Sequence, residues 1–206
     1  MSNEKPGLQQ QPPLLIVMAG PSGAGKDAVF SCMRKGGRPY HYTVTATTRP
    51  KRAKEQSGSD YIFLSEGRFR KKIASGEFIE WAEVYGHLYG VPRPQVVEAL
   101  SRGQDVLVKT DVQGASNIRL IAPDAVFIFL APPSMDELSR RLNLRLTESP
   151  EVVQLRLQAA EAEMASASSF DHTVINHRDQ VNEAVREMDK IVALERRRIP
   201  PRIVVL

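Results

Sequence analysis

Gly20-Pro21-Ser22-Gly23-Ala24-Gly25-Lys26-Asp27 is the segment of this chain best suited to chemistry. Glycines at these positions let successive backbone N–H groups converge on an anion, and a helix starting at the loop adds the positive end of its dipole. Lys26 is placed to reach the terminal phosphates of a nucleotide. The pattern asks next for Ser or Thr, whose hydroxyl holds Mg²⁺, and here it has Asp27. A chance glycine-rich turn is the bland alternative, and the flanks argue against it. The loop follows the apolar run Leu14 to Ala19, which reads as a buried strand, and precedes a helical pattern with Val29, Cys32 and Met33 on one side. Such a loop implies binding of a nucleoside triphosphate and leaves the second substrate open.

Phosphoryl transfer needs positive charge around the moving group and exclusion of water. Arg49 and Arg52 lie in a basic loop running from Thr47 to Ser59, with Lys51 and Lys54. Arg140, Arg141 and Arg145 lie at the end of a helix, with Arg156 further on. On spacing alone these cations read equally well as solvated surface charge.

The elements that must position them alternate between strand and helix. Tyr42 to Ala46 is rich in β-branched residues and reads as a strand; Tyr61 to Leu64 is a short one. Glu66 to Ser75 is a short helix stopped by Gly76. Phe78 to Val84 and Leu88-Tyr89 are strand candidates on either side of Tyr85-Gly86-His87. Pro92 to Arg102 is a helix, Val106 to Val108 and Val126 to Leu130 are buried strands, and Thr173 to Ile175 is the last strand. Ser134 caps a helix, with Glu137 completing a capping box; Ser149 caps another beginning at Pro150, and a final helix runs from about Gln180 to Arg198. Unbroken apolar strands imply a parallel sheet with helices on both faces, its ligands bound at the carboxyl edge. The fold class is therefore α/β, with a strand-rich insertion after the first strand–helix unit. Trp81 reads as a core residue, and His41, His87, His172 and His177 carry no assigned role.

Composition narrows the function classes. The chain has 206 residues, with 28 Lys+Arg against 24 Asp+Glu and a formal charge of +4. That excess is too mild to point to nucleic acid, and no interleaved basic–aromatic surface is evident. Cys32 is the only cysteine, so an intrachain disulfide is ruled out, and no spacing suggests structural zinc. No apolar run approaches a membrane span. Met1 to Pro13 is polar and reads as a disordered tail rather than a signal peptide, so a cytoplasmic location is expected.

Thr47-Thr48-Arg49-Pro50-Lys51-Arg52, Gly58-Ser59-Asp60-Tyr61, Gly76-Glu77-Phe78-Ile79-Glu80-Trp81-Ala82, Tyr89-Gly90 and Asp111-Val112-Gln113-Gly114-Ala115 stand in sequence along the chain. Ala131 to Ser134 and Val174-Ile175-Asn176 follow them. In order and spacing these segments resemble the signatures of the guanylate kinase family, over roughly residues 14–195. The resemblance implies a core (14–42, 92–136 and 160–195), a GMP-binding insertion (43–91) and a lid (about 137–159), flanked by tails at 1–13 and 196–206. It implies ATP and GMP as substrates, Mg²⁺ as cofactor, no nucleic acid or membrane partner, and a monomer or homodimer. It assigns Arg49, Arg52, Tyr61 and Tyr89 to the GMP phosphate, Glu80 and Thr45 to guanine, and Asp111 to ordering the arginines and metal-bound water. Lys26, Arg49, Arg145 and Arg156 take catalytic roles; Gly20 to Asp27 hold the ATP phosphates, and Asn176 lies near adenosine.

Departures from the family's pattern are Asp27, Lys109 in place of a common acid, and Val91 in place of a small hydroxyl residue. The first two are expected to face each other. Either Asp27 ligates Mg²⁺ directly, or it pairs with Lys109 and leaves the metal to phosphates and water. Gly-Lys-Asp also resembles the loop of ribose 1,5-bisphosphate phosphokinase, which is one alternative. A catalytically silent interaction module is the other.

Overall fold

Leu15–Ala19 forms the first strand, β1, and every residue in it is buried. The computed structural model describes residues 11–53, 55–84, 86–143 and 150–206, and of 150–156 the backbone alone. Arg145 and the rest of 144–149, the Ser149 cap, Lys54, Tyr85 and the Arg156 side chain lie outside the described residues. After β1 come α1 (Lys26–Lys35), β2 (His41–Tyr42), β3 (Ala46–Thr47), β4 (Ile62–Phe63), α2 (Glu66–Ala74), β5 (Phe78–Val84) and β6 (His87–Pro92). The chain continues through α3 (Arg93–Ser101), β7 (Val106–Lys109), α4 (Val112–Ile121), β8 (Val126–Ala131), α5 (Met135–Asn143), α6 (Pro150–Ala165), β9 (His172–Ile175) and α7 (Val181–Arg196).

The main sheet is parallel, in the order β2-β7-β1-β8-β9. Its central strands β7, β1 and β8 are apolar on both faces because both are covered. Alternation along β1 sends Ile16 and Met18 to one side, where they pack with Phe30 and Met33 of α1 and Met188 of α7. Leu15, Val17 and Ala19 go to the other, against Val96 of α3 and Ile118 of α4. Each large aliphatic or aromatic side chain so buried contributes roughly 1.5–3 kcal/mol.

A second sheet, in the order β4-β3-β6-β5, is built from the insertion. Phe69 of α2 stacks on Phe78 of β5 at 4.5 Å between ring centroids. Gly90 lies against these rings, where an added Cβ would sit 3.0 Å from both. The single strand expected from Tyr42 to Ala46 is divided. His41–Tyr42 joins the main sheet and Ala46–Thr47 the second, with Thr43 to Thr45 crossing between them. β-propensity in five residues does not encode which sheet will supply the hydrogen-bond partners.

Trp81 is 42% exposed rather than part of the core. Along β5 neighbours face opposite ways, and Glu80 takes the inward position, so Trp81 is forced out. The expected capping box is half formed. Ser134 Oγ accepts from the Glu137 backbone N–H at 3.2 Å, but the Glu137 carboxylate is taken by Arg140 and Arg141. The C-terminal segment is anchored by a buried charge, with Val204 also packed against the core cluster that contains Val96 and Ile118. Arg202 is buried, donating to Glu195 at 2.7 Å and to the Ala125 carbonyl at 2.8 Å, while Ile199 and Val205 stay exposed. Val91 is fully buried in the core around α3.

Candidate active site

β1 delivers the glycine loop to the carboxyl edge of the main sheet. Gly20 passes the β8 backbone so closely that an added Cβ would lie 2.1 Å from the Leu130 carbonyl oxygen. Gly25, with φ of +93°, turns the chain into α1, and an added Cβ there would strike Asn176 Nδ2 at 2.3 Å. Within the loop, the Ala24 N–H donates to the Pro21 carbonyl at 3.1 Å. Asn176 Nδ2 donates to the Ala24 carbonyl at 2.8 Å; Arg141 donates to the same carbonyl at 3.2 Å and to the Asn176 carbonyl at 2.8 Å. Asn176 is thus 5% exposed and braces the loop with its amide. The Ser22 N–H donates to Glu163 of α6 at 3.3 Å.

Lys26 Nζ curls back to the carbonyls of Gly20 and, at 3.0 Å, Pro21. Burial pulls its pKa below the usual lysine value, against the opposing charges of Glu163, Asp27 and Asp111. Burial pushes the Glu163 carboxyl up. Asp27 and Lys109 do face each other, with Lys109 Nζ 2.5 Å from Asp27 Oδ1. The pairing follows from register, since Lys109 stands opposite Met18 at the end of β7, beside the loop.

The insertion brings a second set of groups. Arg49 is ion-paired with Glu55 at 2.6 Å, and its guanidinium carbon lies 5.4 Å from the Tyr61 ring centroid. The Glu55 carboxylate outweighs burial and raises the Arg49 pKa. Tyr61 and Tyr89 meet edge to face at 6.3 Å. The structure therefore gathers Arg49, Tyr61 and Tyr89. Arg52 is exposed and joins through its backbone, its N–H donating to the Glu55 carboxylate at 2.8 Å and its carbonyl accepting from the Glu55 N–H at 3.1 Å.

Glu80 is 5% exposed. Thr110 Oγ1 donates to its Oε1 at 3.1 Å, and its Oε2 has no hydrogen-bond partner among the described residues. Burial, then the nearby Asp111 charge, push its pKa up to about 8. Gly114 leaves room for this carboxylate, since an added Cβ would lie 2.8 Å from Oε2. Asp111 caps α4 by accepting from the Gly114 N–H at 2.7 Å. Thr45 is buried at the crossover between sheets, with Oγ1 3.4 Å from the Lys109 carbonyl. Glu55, Thr110, Arg141 as a brace and Glu163 escaped the sequence reading. Each acts through a partner that only folding supplies, so a motif scan carries no signal for them.

For Mg²⁺, Asp27 offers a hard carboxylate oxygen on a side chain 67% exposed. Among the described residues no cluster of three or more His, Cys, Asp or Glu could hold a metal by itself. The donor set fits Mg²⁺ bound by one carboxylate with nucleotide phosphates and water completing its shell.

A phosphate loop at the edge of a parallel sheet, faced by an insertion bearing an arginine and two tyrosines, defines a P-loop protein of the nucleotide-kinase class. The comparisons narrow the class. Residues 13–195 match the guanylate kinase family. The chain is 40% identical over 183 residues to a guanylate kinase of Carboxydothermus hydrogenoformans, covering 89% of each. It is 47% identical over 176 residues to one from Streptomyces coelicolor, covering 85% of this chain and 88% of that one. The crystal structure of guanylate kinase from Anaplasma phagocytophilum superposes with a TM-score of 0.76 at 28% identity, covering 93% of this chain and 89% of the other. The chain belongs to the guanylate kinase family.

Proposed function

We propose that this chain transfers the terminal phosphoryl group of ATP to GMP, giving ADP and GDP. The observation that carries the choice of acceptor is Glu80, a buried carboxylate with one oxygen unpaired among the described residues. Guanine offers two adjacent donors, N1–H and the exocyclic amine, which match the two oxygens of a carboxylate. In its ionised form Glu80 would set a buried charge against the lone pair of adenine N1, whereas the two guanine donors stabilise that form. A ribose bisphosphate acceptor has no base to pair with Glu80, and a silent module would have no use for Lys26 and Arg49 in these positions.

In this reading the loop from Gly20 to Asp27 cradles the ATP phosphates, with Asn176 and Arg141 holding its shape. Phosphate oxygens replace the loop carbonyls as acceptors from Lys26. Arg49, Arg52, Tyr61 and Tyr89 hold the GMP phosphate, Glu80 and Thr45 meet the base, and Asp111 orders their surroundings. Arg145 and Arg156 bring further positive charge from the lid. Mg²⁺, held by Asp27, supplies charge neutralisation on the donor phosphates when bound. The acceptor phosphate is already anionic, so positioning and neutralisation perform the transfer and no side-chain base is needed. The division into core, insertion and lid, action as a monomer or homodimer, and a cytoplasmic location among nucleotide pools belong to the same proposal. Among the described residues, no helix is long and apolar enough to cross a membrane.

The test is ADP release from ATP and Mg²⁺ with GMP, AMP and ribose 1,5-bisphosphate as parallel acceptors. Release with GMP and not with the others is the expected result. Release with the ribose bisphosphate alone overturns the reading, as does silence with GMP from folded protein.

A further inference from the structure

Lys109 is a charge the loop and the acceptor groups share. It leaves the end of β7 beside the phosphate loop, and its side chain is only 13% exposed. The ammonium lies 5.1 Å from the Phe30 ring centroid and 4.9 Å from that of Tyr61. Phe30 belongs to α1, directly after the loop, and Tyr61 to the insertion, beside Arg49 and Tyr89. A cavity of about 240 Å³ opens here, lined among others by Asp27, Arg34, Glu55, Tyr61 and Lys109. A single ammonium therefore stands between the donor-phosphate loop and the acceptor-phosphate groups.

A purely structural ion pair accounts for this poorly. The Asp27 side chain is 67% exposed, and pairs with an exposed partner are worth roughly 0–1 kcal/mol. Burying an ammonium costs more than that unless other groups compensate. The two aromatic faces supply part of the compensation and hold the ammonium in place independently of Asp27. Asp27 is thus the more solvent-accessible partner, and a phosphate, carrying more negative charge than a carboxylate, can replace it at Lys109.

We propose that Lys109 is a ligand for nucleotide phosphate, held in readiness by Asp27, which exchanges Lys109 for the incoming phosphate. Asp27 is then released toward the metal of the donor. This rests on the proposed kinase reading, but it is tested without turnover. Calorimetric titration in EDTA with ADP and, separately, GMP is run on the full chain and on the variants Lys109→Met, Lys109→Arg and Asp27→Asn, with thermal melts to confirm folding. Lys109→Met should weaken metal-free binding of both ligands about tenfold, with Lys109→Arg within about threefold of the parent. Asp27→Asn should tighten binding several-fold. Its gain should largely vanish when combined with Lys109→Met, because there is then no ammonium to release. Equal tightening in both backgrounds would mean that Asp27 merely repels anions, and would overturn the exchange. Unchanged binding by folded Lys109→Met would overturn the phosphate contact. If the parent fails to phosphorylate GMP yet the binding pattern holds, the kinase reading falls and this one stands.

Discussion

Glu80 sets up a prediction whose size follows from its surroundings. Its carboxyl is held up to about 8 by burial and by the charge of Asp111. Pairing with guanine N1–H and the exocyclic amine requires the ionised form, since a protonated oxygen would oppose a donor to a donor. Binding of the base therefore expels a proton. At pH 7, with the pKa about 8, roughly 0.9 of the molecules carry that proton, so about 0.9 proton should be released per guanosine bound. The apparent affinity should improve about tenfold per pH unit up to pH 8 and level off above it, since one pKa unit corresponds to about 1.36 kcal/mol. Guanosine is the right ligand because it lacks a phosphate that titrates in the same range. The assay is calorimetry at pH 7 in buffers of differing ionisation enthalpy, followed by competition titrations from pH 6.5 to 8.5. Glu80→Gln should abolish both the buffer dependence and most of the binding. A heat of binding that is the same in every buffer, with an affinity flat across this pH range, would refute the reasoning. It would mean either that Glu80 is already ionised or that it does not meet the base.

Two further outcomes follow from packing. Gly114→Ala should place a Cβ 2.1 Å from Thr110 Oγ1 and 2.8 Å from Glu80 Oε2, displacing the carboxylate; steady-state kinetics should show KM for GMP raised at least about tenfold and KM for ATP nearly unchanged. Arg202→Ala should leave Glu195 in its buried site with, among the described residues, His172 at 2.6 Å and the longer Arg198 contact at 3.7 Å. Breaking such a pair costs roughly 3 kcal/mol, or about 10 °C in melting temperature for a chain of this size, read by thermal denaturation. The pH dependence has a definite sign. Arg202 and His172 overcome burial and hold the Glu195 carboxyl at about 2, below the ordinary value of 4.5. Its contribution is present above about pH 4.5 and is lost as pH falls toward 2, so the melting temperature of the parent should drop more steeply over that interval than that of the variant.

Much of this protein is written locally along the chain. The run Leu14 to Ala19 followed by Gly20 to Asp27 specifies a strand, a left-handed turn and a helix start, because apolar content, glycine freedom and helix onset are properties of neighbouring residues. Parallel pairing of the apolar strands follows from the same run-by-run reading, as does the order of motifs that marks the family. What the tertiary structure alone decided are relations between residues far apart in sequence. Tyr42 to Ala46 has the propensity of one strand, yet its two ends pair with different sheets. Glu80 and Trp81 are adjacent, and the acid is buried while the indole is exposed, because α4 and Thr110 arrive on the Glu80 side. The closeness of Asp27 and Lys109 depends on β7 lying beside β1 in register. Glu55 on Arg49, Glu163 on Ser22 and Arg202 on Glu195 are likewise pairings made only when elements dock. Conformational preference is set within a few residues, whereas burial and electrostatic partnership depend on what the rest of the chain brings alongside.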